Sequence, residues 1–442
     1  MDAELKIAVD GRVGELSRKE RRLLLERRPP REEELRDAVG GILETVRDRG
    51  DEALREMARE LDDVELDGLE VPRERWDEAL HSLDPQIVRA LERAAGNIRR
   101  FHEAQLPQEV VLEVEPGVRV GRRAVPLSVV GVYAPGGLAA YPSSVLMGVV
   151  PARAAGVREV IVCSPPGSSG APPPEVLAAC AIAGAHRLFA LGGAGAVAAL
   201  AYGTESVPRV DAVVGPGNRW VTEAKRQVAG EIRIDSPAGP SEVLVVAGPE
   251  ADPERVAGEL VAQAEHDPDA PVAAVTWDSG LLDQVRAELT RQVATTPRRE
   301  VVEVALEAYG ALLLADDRRE ALEFAQDYAA EHLALFTGEP REDLETQSTA
   351  GTVFLGEDST VAFGDYLTGA NHVLPTSGRA RSFSGLSVME FLRFFTWQEI
   401  SPAGAAGLAE DVELLAKAEG LPAHAAAARA RATGATGGEG SR

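Results

Sequence analysis

The feature that most constrains this sequence is an alternation between apolar, β-branched runs and segments of helix-forming composition. The runs LSVVGVYAPGG, REVIVCSPPG, HRLFALGGAG and VDAVVGPGN each end in a turn, and stretches such as RWVTEAKRQVAG separate them. Strands that alternate with helices form βαβ units. These units place the strands in a parallel sheet, with right-handed crossovers. The alternation resumes after residue 241 with SEVLVVAG, APVAAVTWD, GALLLAD, ALFTG and GTVFLG. We therefore expect an α/β fold with two parallel-sheet units.

The two ends of the chain have a different pattern. Residues 1 to about 100 are predicted to be helical, because apolar residues recur three and four apart from Leu35 to Val46 and a second helical stretch starts at Pro85. Near the other end, FLRFFTWQEI and AGLAEDVELLAKAEG are also assigned to helix, and TGATGGEGSR has the low complexity of a disordered tail. The predicted organisation is an N-terminal helical arm (1–28), a discontinuous first α/β domain (29–130 and 242–385), a second Rossmann-like domain (131–241), a C-terminal helical segment (386–432) and a disordered tail (433–442).

Composition excludes several classes of function. A length of 442 residues is too great for one ordinary core, so more than one domain is expected. A net charge of −25 repels phosphate backbones, so we expect no nucleic-acid partner. No run reaches the roughly 18 apolar residues of a membrane span, and the start MDAELKIAVD does not resemble a signal peptide. We therefore expect a cytoplasmic protein without a membrane partner. Cys163 and Cys180 are too few for a thiolate zinc site, and their apolar surroundings favour buried small hydrophobes over nucleophiles.

Glycine-containing turns follow three predicted strands, at 133–137, 192–195 and 215–218. Such turns let a phosphate approach the backbone at one edge of a parallel sheet, although tight turns alone explain them too. The residues Gly193, Gly195 and Ala198 match a dinucleotide fingerprint that also requires an acidic residue about 20 positions later. Glu205 comes too early and Asp211 opens its strand, so the fingerprint by itself does not predict the cofactor.

The first of three polar clusters is QAEHD. Asp252 and the proline after it are good N-cap and first-turn residues, and from there Gln263 falls on the apolar stripe of the helix. Gln263 and His266 are three residues apart, so they are predicted to project from one face at the helix end. A buried glutamine needs a partner, which a metal ion or a capping hydrogen bond would supply equally well.

The other two clusters lie beside predicted strands. Glu331 and His332 are adjacent at a helix-to-strand junction, where they suit proton transfer near neutral pH or form a surface glutamate beside a packed histidine. The loop GDYLTGANHVLPT carries Asp365 and His372 after the strand GTVFLG, and is either a site or an ordinary polar loop. Histidine, aspartate and glutamine together suit a borderline metal such as zinc, although an amide ligand is unusual.

Taken as an ordered set, these and neighbouring motifs resemble the histidinol dehydrogenase family. The matching stretches run from roughly residue 30 to residue 430 and are GVYAPGG, GTESVP, GPGN, VTEAKRQVAG, SPAGPSEVLVVA, AQAEHD, AAEHL, GTVFLG, GDYLTGANHVLPT and AEGLPAH. The resemblance implies a homodimer of protomers with two incomplete Rossmann-like domains and helical N- and C-terminal segments. It also implies NAD-linked oxidation of L-histidinol to L-histidine through the aldehyde, which is the last step of histidine biosynthesis.

The resemblance assigns roles to individual residues. It implies one zinc ion per active site, bound by Gln263, His266 and Asp365, with His424 arriving from the partner chain. His332 would accept the alcohol proton, and Glu331 would activate the water that hydrates the aldehyde. The implied substrate contacts are the four metal ligands, His332, Ser241, His372 and Glu419, with Glu419 also contributed across the dimer interface. The implied NAD contacts are Tyr133, Asn218 and the position of Gly195.

One position departs from the family pattern. Relatives usually carry GGAQAI, whose glutamine contacts the dinucleotide, whereas this chain has Gly195 there and lacks that side chain. Two other interpretations stay open. One is a paralogous zinc- and NAD-dependent dehydrogenase of another small polar or sulfonated alcohol, although a sulfonate would favour cationic groups in place of Glu419 and His372. The other is a non-catalytic dimeric nucleotide-binding protein, against which the intact Glu331–His332 pair argues.

Overall fold

A computed structural model describes residues 5–27, 33–136, 140–236 and 239–432. Contacts between these residues divide the chain into two units. The large unit consists of the described parts of Met1–Gln105 and Leu127–Phe391, and the small unit consists of those of Leu106–Pro126 and Leu392–Arg442. The predicted disordered tail, 433–442, lies outside the described residues.

The strands and helices alternate through most of the chain. The strands are β1 (Val9–Arg12), β2 (Val110–Glu115), β3 (Val118–Pro126), β4 (Val129–Tyr133), β5 (Glu159–Ser164), β6 (Arg187–Ala190), β7 (Ala212–Val214), β8 (Arg233–Ile234), β9 (Val243–Ala247), β10 (Val272–Thr276), β11 (Gly310–Leu314), β12 (His332–Phe336), β13 (Thr352–Leu355) and β14 (Leu392–Ile400). The α-helices are α1 (Arg18–Glu26), α2 (Glu33–Arg49), α3 (Asp51–Leu61), α4 (Arg73–Ser82), α5 (Pro85–Glu103), α6 (Pro142–Ala154), α7 (Pro174–Ala183), α8 (Gly193–Tyr202), α9 (Arg219–Val228), α10 (Pro253–Ala264), α11 (Ser279–Thr295), α12 (Arg299–Tyr309), α13 (Arg318–Tyr328), α14 (Pro340–Glu345), α15 (Val361–Tyr366), α16 (Pro402–Ala418) and α17 (Pro422–Ala432).

The large unit contains two parallel sheets with the same internal order. The six-stranded sheet runs β1-β11-β10-β9-β12-β13, and the five-stranded sheet runs β6-β5-β4-β7-β8. If strands are counted from β9 and from β4, both sheets have the order 3-2-1-4-5, and β1 extends the first of them. This is the order of a doubly wound nucleotide-binding fold. The predicted α/β class with two Rossmann-like parallel sheets is therefore confirmed.

Burial on both faces explains why the central strands are continuous apolar runs. In β9, Val243, Val245 and Ala247 face a core that contains the apolar residues of α10, α11 and α12. Leu244 and Val246 face the opposite core, which contains residues of α1 and α13. One strand thus contributes to two hydrophobic layers.

The prediction that residues 1 to about 100 are helical is wrong at the N-terminus. Strand β1 pairs in parallel with β11, from Val9 opposite Ala311 to Arg12 opposite Leu314. The strand is only four residues long, which is too short to produce a clear period of two. The later helices were placed correctly, and the second predicted stretch forms α5. Among them, α2 contacts α8 and α9, and α4 contacts α7, so this segment packs on the helices of the five-stranded sheet. The domain boundaries themselves stay a prediction.

The assignment of FLRFFTWQEI to helix is also wrong. These residues form β14, which pairs antiparallel with β3 from Leu392 opposite Pro126 to Ile400 opposite Val118. β2 completes the sheet of the small unit as an antiparallel neighbour of β3, and α16 packs against α17. Aromatic residues favour strands when a partner covers them, and the guanidinium of Arg122 stacks 3.9 Å from the ring of Phe394. That partner strand lies more than 260 positions earlier, so local periodicity did not indicate it.

Both cysteines lie in the five-stranded half of the large unit. Cys163 is in β5 and Cys180 is in α7, and both thiols are fully buried. Burial raises the pKa of each thiol, which confirms the expectation that they behave as small hydrophobic residues. Across the part of the chain that the structure describes, every helix is too short or too polar to traverse a lipid bilayer.

Candidate active site

The candidate site lies where several strands of the six-stranded sheet begin. α13 ends at Tyr328, Ala329 turns the chain with a φ of 52°, and β12 starts at His332. Glu331 and His332 are each only 3% exposed. The predicted helix-to-strand junction is therefore confirmed. A surface glutamate, the alternative interpretation, is excluded by the burial of Glu331.

The hydrogen bonds of His332 orient its imidazole. Nδ1 lies 3.0 Å from the carbonyl oxygen of Glu242 and 3.5 Å from Oε2 of Glu331. Because a carbonyl only accepts, Nδ1 carries the proton and Nε2 is left as an acceptor. Nε2 is buried without a hydrogen-bond partner among the described residues, 3.8 Å from Oδ1 of Asp365. Burial lowers the pKa of His332 to about 4, so the ring is neutral at neutral pH and Nε2 can accept a proton.

Glu331 lies in an environment that strengthens it as a base. Its Oε2 accepts a hydrogen bond of 2.8 Å from the backbone N–H of Glu242. Burial, followed by the charges of Glu242 and Asp365, raises the pKa of Glu331 well above its ordinary value, although the Glu242 N–H and the Ser241 hydroxyl act in the opposite direction. Ser241, predicted to touch substrate, is half-buried beside this carboxylate.

Asp365 and His372 both follow β13, but the prediction of a loop is wrong at Asp365, which lies in a short helix. Asp365 is in α15, and its carbonyl oxygen lies 3.0 Å from Nδ1 of His372. Burial, reinforced by the charge of Glu259, raises the pKa of Asp365 to about 7, and burial lowers that of His372 to about 4. The side-chain amide of Asn371 donates 2.8 Å to the carbonyl of Met147 in α6, which fixes the loop to the five-stranded half.

Gln263 and His266 mark the end of α10. The predicted helix start is confirmed, because Asp252 caps the helix and Pro253 is its first residue. Gln263 is 3% exposed, and its Nε2 is buried without a hydrogen-bond partner among the described residues. His266 lies beyond Ala264, where the helix ends, so the expectation of one common helix face is wrong for this pair. A turn hydrogen bond of 3.2 Å from His266 N to Gln263 O keeps them adjacent, and His266 influences the pKa of His332.

A small cavity opens between β12, β13 and this loop. Both polar and apolar side chains line it, and the ring of Phe354 lies 6.0 Å from that of His332. The lining residues are His332, Thr352, Phe354, Gly364, Asp365, Ala370, Asn371, His372 and Leu374. The cavity therefore brings together three sequence-predicted site residues, namely His332, Asp365 and His372.

The expected zinc ligands are divided between the two units. Gln263, His266 and Asp365 are in the large unit, whereas His424 is an exposed residue of α17 in the small unit. Glu419, at the end of α16, is also exposed in the small unit. Within the described ranges, no three His, Cys, Asp or Glu side chains are grouped as a metal site. Of the expected ligands in the large unit, only His266 and Asp365 are of those types, and the third is the amide of Gln263. An orphaned buried amide, a neutral imidazole and a carboxylate with a raised pKa nevertheless fit a borderline cation.

The expected dinucleotide contacts lie at the carboxyl edge of the five-stranded sheet. Tyr133 ends β4, and its buried hydroxyl accepts a hydrogen bond of 3.2 Å from Gly193 N. Gly215 has a φ of 115°, and a Cβ there would lie 2.1 Å from the carbonyl oxygen of Tyr133. The turns after β4 and β7 therefore touch where the strand order reverses, and only glycine fits. Exposed Asn218 caps α9 by accepting from the N–H groups of residues 220 and 221. The turn residues 137–139 lie outside the described part of the chain.

A side chain at position 195 would point toward helix α3. Gly195 is buried in α8, and a Cβ there would lie 3.1 Å from Sδ of Met57 and 3.4 Å from Cδ2 of Leu54. Helix α3 therefore covers the side of Gly195 from which a side chain would project. Its assignment as a cofactor contact is not supported by this packing.

Two buried residues near the Glu331–His332 pair were not identified from the sequence. Glu242 precedes β9 and is 0% exposed, and the side chain of Arg27 forms an ion pair with it at 2.8 Å. The available signal was an acidic residue immediately before a fully apolar strand, since a charge there needs a buried partner. Which of the chain's many basic residues would be that partner depends on tertiary structure.

Comparison with known proteins gives a consistent result. The family model of histidinol dehydrogenase matches residues 25–432. Among curated relatives, histidinol dehydrogenase from Methanosarcina mazei is 47% identical over 89% of this chain and 91% of its own length. The enzyme from Thermus thermophilus is 49% identical over 88% and 92%.

A solved structure extends the agreement to the fold. The crystal structure of histidinol dehydrogenase from Elizabethkingia anophelis superimposes with a TM-score of 0.92 at 33% identity, covering 97% of this chain and 98% of that one. Sequence and fold therefore agree over nearly the full length, and the chain belongs to the histidinol dehydrogenase family.

Proposed function

We propose that this protein oxidises L-histidinol to L-histidine through L-histidinaldehyde, using NAD and one zinc ion per active site, as the last step of histidine biosynthesis in the cytoplasm. The single observation that carries the proposal is the buried Glu331–His332 pair at the cavity. A neutral imidazole with an unpartnered Nε2 stands next to a strengthened carboxylate, in a chain related over most of its length to histidinol dehydrogenases.

The two residues suit two different proton transfers. Oxidation of an alcohol requires loss of the hydroxyl proton, and Nε2 of His332, which carries no proton, would accept it. Oxidation of an aldehyde to an acid requires a hydrated intermediate, and the carboxylate of Glu331 would take the proton from the attacking water. NAD, when bound, accepts a hydride in each oxidation.

Gln263, His266 and Asp365 would hold the zinc ion, with the partner subunit's His424 as a fourth ligand. The ion would supply a fixed anchor for the imidazole and amine of histidinol. Ser241, His372 and the partner subunit's Glu419 would contact the substrate as well, and the carboxylate of Glu419 suits the cationic amino group.

Tyr133 and Asn218 would contact the dinucleotide. Support comes from the strand order of the five-stranded sheet, because ligands of doubly wound sheets bind outside the carboxyl ends where the order reverses. The N-terminus of α9, capped by Asn218, follows the Gly215 turn, and a helix N-terminus favours phosphate groups.

Exposed apolar residues in the small unit support a homodimer. Every residue of β2 is exposed, including Val110, Leu112 and Val114, and Leu414 and Leu415 of α16 are 59% and 67% exposed. An edge strand and a helix face of this kind need a partner. A second copy of the chain would cover them and could supply Glu419 and His424.

The test is the stoichiometry of NADH with purified protein, assayed with and without a chelator. Histidinol should yield two NADH per molecule, and removal of the metal should abolish turnover and be reversed by added zinc. Turnover of an acidic or sulfonated alcohol without turnover of histidinol would support the paralogous dehydrogenase instead. Replacement of His266 by alanine should lower the zinc content measured after dialysis.

A further inference from the structure

A buried ion pair, Arg27–Glu242, contacts the catalytic pair through Glu242. Nε of Arg27 donates 2.8 Å to Oε2 of Glu242, and Nη2 donates 2.9 Å to Oε1. The side chains are 2% and 0% exposed. Burying two charges costs more than it returns unless the geometry is good, so such pairs indicate a requirement beyond packing.

Glu242 contacts both members of the catalytic pair, through three different groups. Its backbone N–H donates 2.8 Å to Oε2 of Glu331, and its carboxylate Oε1 accepts 3.2 Å from the backbone N–H of Glu331. Its carbonyl oxygen accepts from Nδ1 of His332 at 3.0 Å. One residue therefore orients the carboxylate of Glu331, anchors its backbone and selects the tautomer of His332.

Arg27 also contacts Tyr328, at the end of the helix that precedes the catalytic pair. Nη2 also donates 2.7 Å to the carbonyl oxygen of Tyr328, and the guanidinium stacks 3.6 Å from the centre of the Tyr328 ring. Tyr328 is the last residue of α13, so Arg27 connects the end of that helix to the start of β9. The three residues between Tyr328 and His332 are thus fixed from both ends.

We propose that Glu242 is a positioning residue for the Glu331–His332 pair and that Arg27 maintains it by holding its carboxylate in place. This inference rests on the proposed oxidation of histidinol for its kinetic test. It assigns no contact with substrate, metal or cofactor to either residue.

The sharpest variant is Glu242→Gln. Oε1 accepts from both Arg27 and Glu331, and Oε2 accepts from Arg27, so an amide group in either orientation brings an N–H against a donor. The backbone N–H and carbonyl groups of residue 242 are unchanged by this substitution, so any effect on Glu331 comes from the side chain. A matched control is Asp343→Asn, because Asp343 is also buried and paired with Arg318 at 2.8 Å, but it contacts Thr337 beyond the other end of β12.

We expect Glu242→Gln to lower kcat roughly 10- to 100-fold, the range found when an orienting partner is lost, with the KM for histidinol and the zinc content unchanged. Asp343→Asn should lose thermal stability but keep kcat. Equal kcat losses in the two variants, or an unchanged kcat in Glu242→Gln, would overturn the inference. If Glu242→Gln does not fold, Arg27→Lys keeps the charge but not the fork, and its kcat at unchanged KM decides in the same way.

A crystal structure of Glu242→Gln separates this inference from the proposed function. The carboxylate of Glu331 should move away from the N–H of residue 242 while the strands stay in register. This readout needs no turnover. An unmoved Glu331 overturns the positioning role even if the wild type oxidises histidinol, whereas a displaced Glu331 supports it even if histidinol is not the substrate.

Discussion

The two parallel sheets of the large unit have the same strand order, but their candidate site residues lie at opposite edges. In the five-stranded sheet, the glycine turns after β4 and β7 meet at the carboxyl edge, where a doubly wound fold binds its ligand. In the six-stranded sheet, Glu331 and His332 lie at the amino edge, where β12 begins. A shared topology therefore does not determine which end of a sheet is used. The side chains of the loops and helix ends at each edge determine which edge carries the site.

Helix direction explains how the amino edge acquires its residues. In a βαβ unit the helix returns the chain from the carboxyl edge to the amino edge, so the last residues of α10 arrive beside the first residues of the strands. Gln263 and His266 occupy that position. The loop with Asp365 and His372 completes the group, and Asn371 connects it to α6 of the other half. The comparison predicts that substitutions at one edge affect proton transfer and that those at the other affect NAD.

The largest effect is expected for His332→Gln. Removal of the base whose Nε2 is free for the alcohol proton should lower kcat for histidinol by roughly 10²- to 10⁴-fold. The dissociation constant of NAD, measured by titration of protein fluorescence or by calorimetry, should stay within about twofold. A parallel loss of NAD affinity would contradict the division of labour between the edges.

A smaller and more selective effect is expected for Glu331→Gln. The amide cannot take a proton from water, so oxidation of histidinaldehyde should fall by roughly 10²-fold, while the alcohol step falls by roughly tenfold or less. The yield should drop from two NADH per histidinol toward one, with free aldehyde trapped by a carbonyl reagent. Equal losses in both steps would show that the two residues do not divide the proton transfers.

At the opposite edge, Gly215→Ala should act on NAD. A Cβ 2.1 Å from the Tyr133 carbonyl oxygen cannot be accommodated, and a φ of 115° is strained for alanine by about 1–3 kcal/mol. The turn must shift, so the KM for NAD should rise roughly tenfold, which is about 1.4 kcal/mol. At saturating NAD, kcat should change little. Gly230→Ala is the matched control, because nothing lies within 4 Å of its Cβ position.

The smallest effect is expected for Gly195→Gln, which restores the residue type usual in the family. Met57 and Leu54 occupy the direction of the new side chain, so the KM for NAD should change by less than about threefold. Crowding should lower the free energy of unfolding by about 1 kcal/mol, measured by urea denaturation. Gly195→Ala, which adds only the Cβ, is the control. A marked fall in the KM for NAD in the glutamine variant alone would contradict this. It would show that α3 can move aside and that the glutamine amide contributes to NAD binding.

The sequence predicted the parts of the fold that depend on local pattern. Apolar runs such as Val243–Ala247 and the Asp252–Pro253 helix start are visible within a few residues, and the structure has a strand and a helix there. It did not predict β14, because the partner that makes FLRFFTWQEI a strand is β3, far away in the chain. Strand β1 was missed for a second reason, since its four residues are too few to show an alternating pattern.

The candidate site divides in the same way. Glu331 and His332 stood out as a polar pair before an apolar strand, and Asp365 and His372 as polar residues in a segment after another strand. The structure brings the four together. Glu242 and Arg27 did not stand out, because an ion pair separated by 215 positions has no local signature. The roles proposed for His424 and Glu419 would require a second subunit, and the pattern of one sequence does not encode an assembly.

The burial of both thiols makes them internal reporters. Cys163 and Cys180 lie in the five-stranded half, whereas the six-stranded sheet and the small unit have no cysteine. A thiol in the core reacts with a labelling reagent only when that part of the protein opens. The rate of labelling in native conditions therefore measures opening of the five-stranded half alone. Comparison of the labelling rate with NAD and the labelling rate with histidinol would show how strongly ligand binding in one half affects opening of the other. No engineered probe is needed.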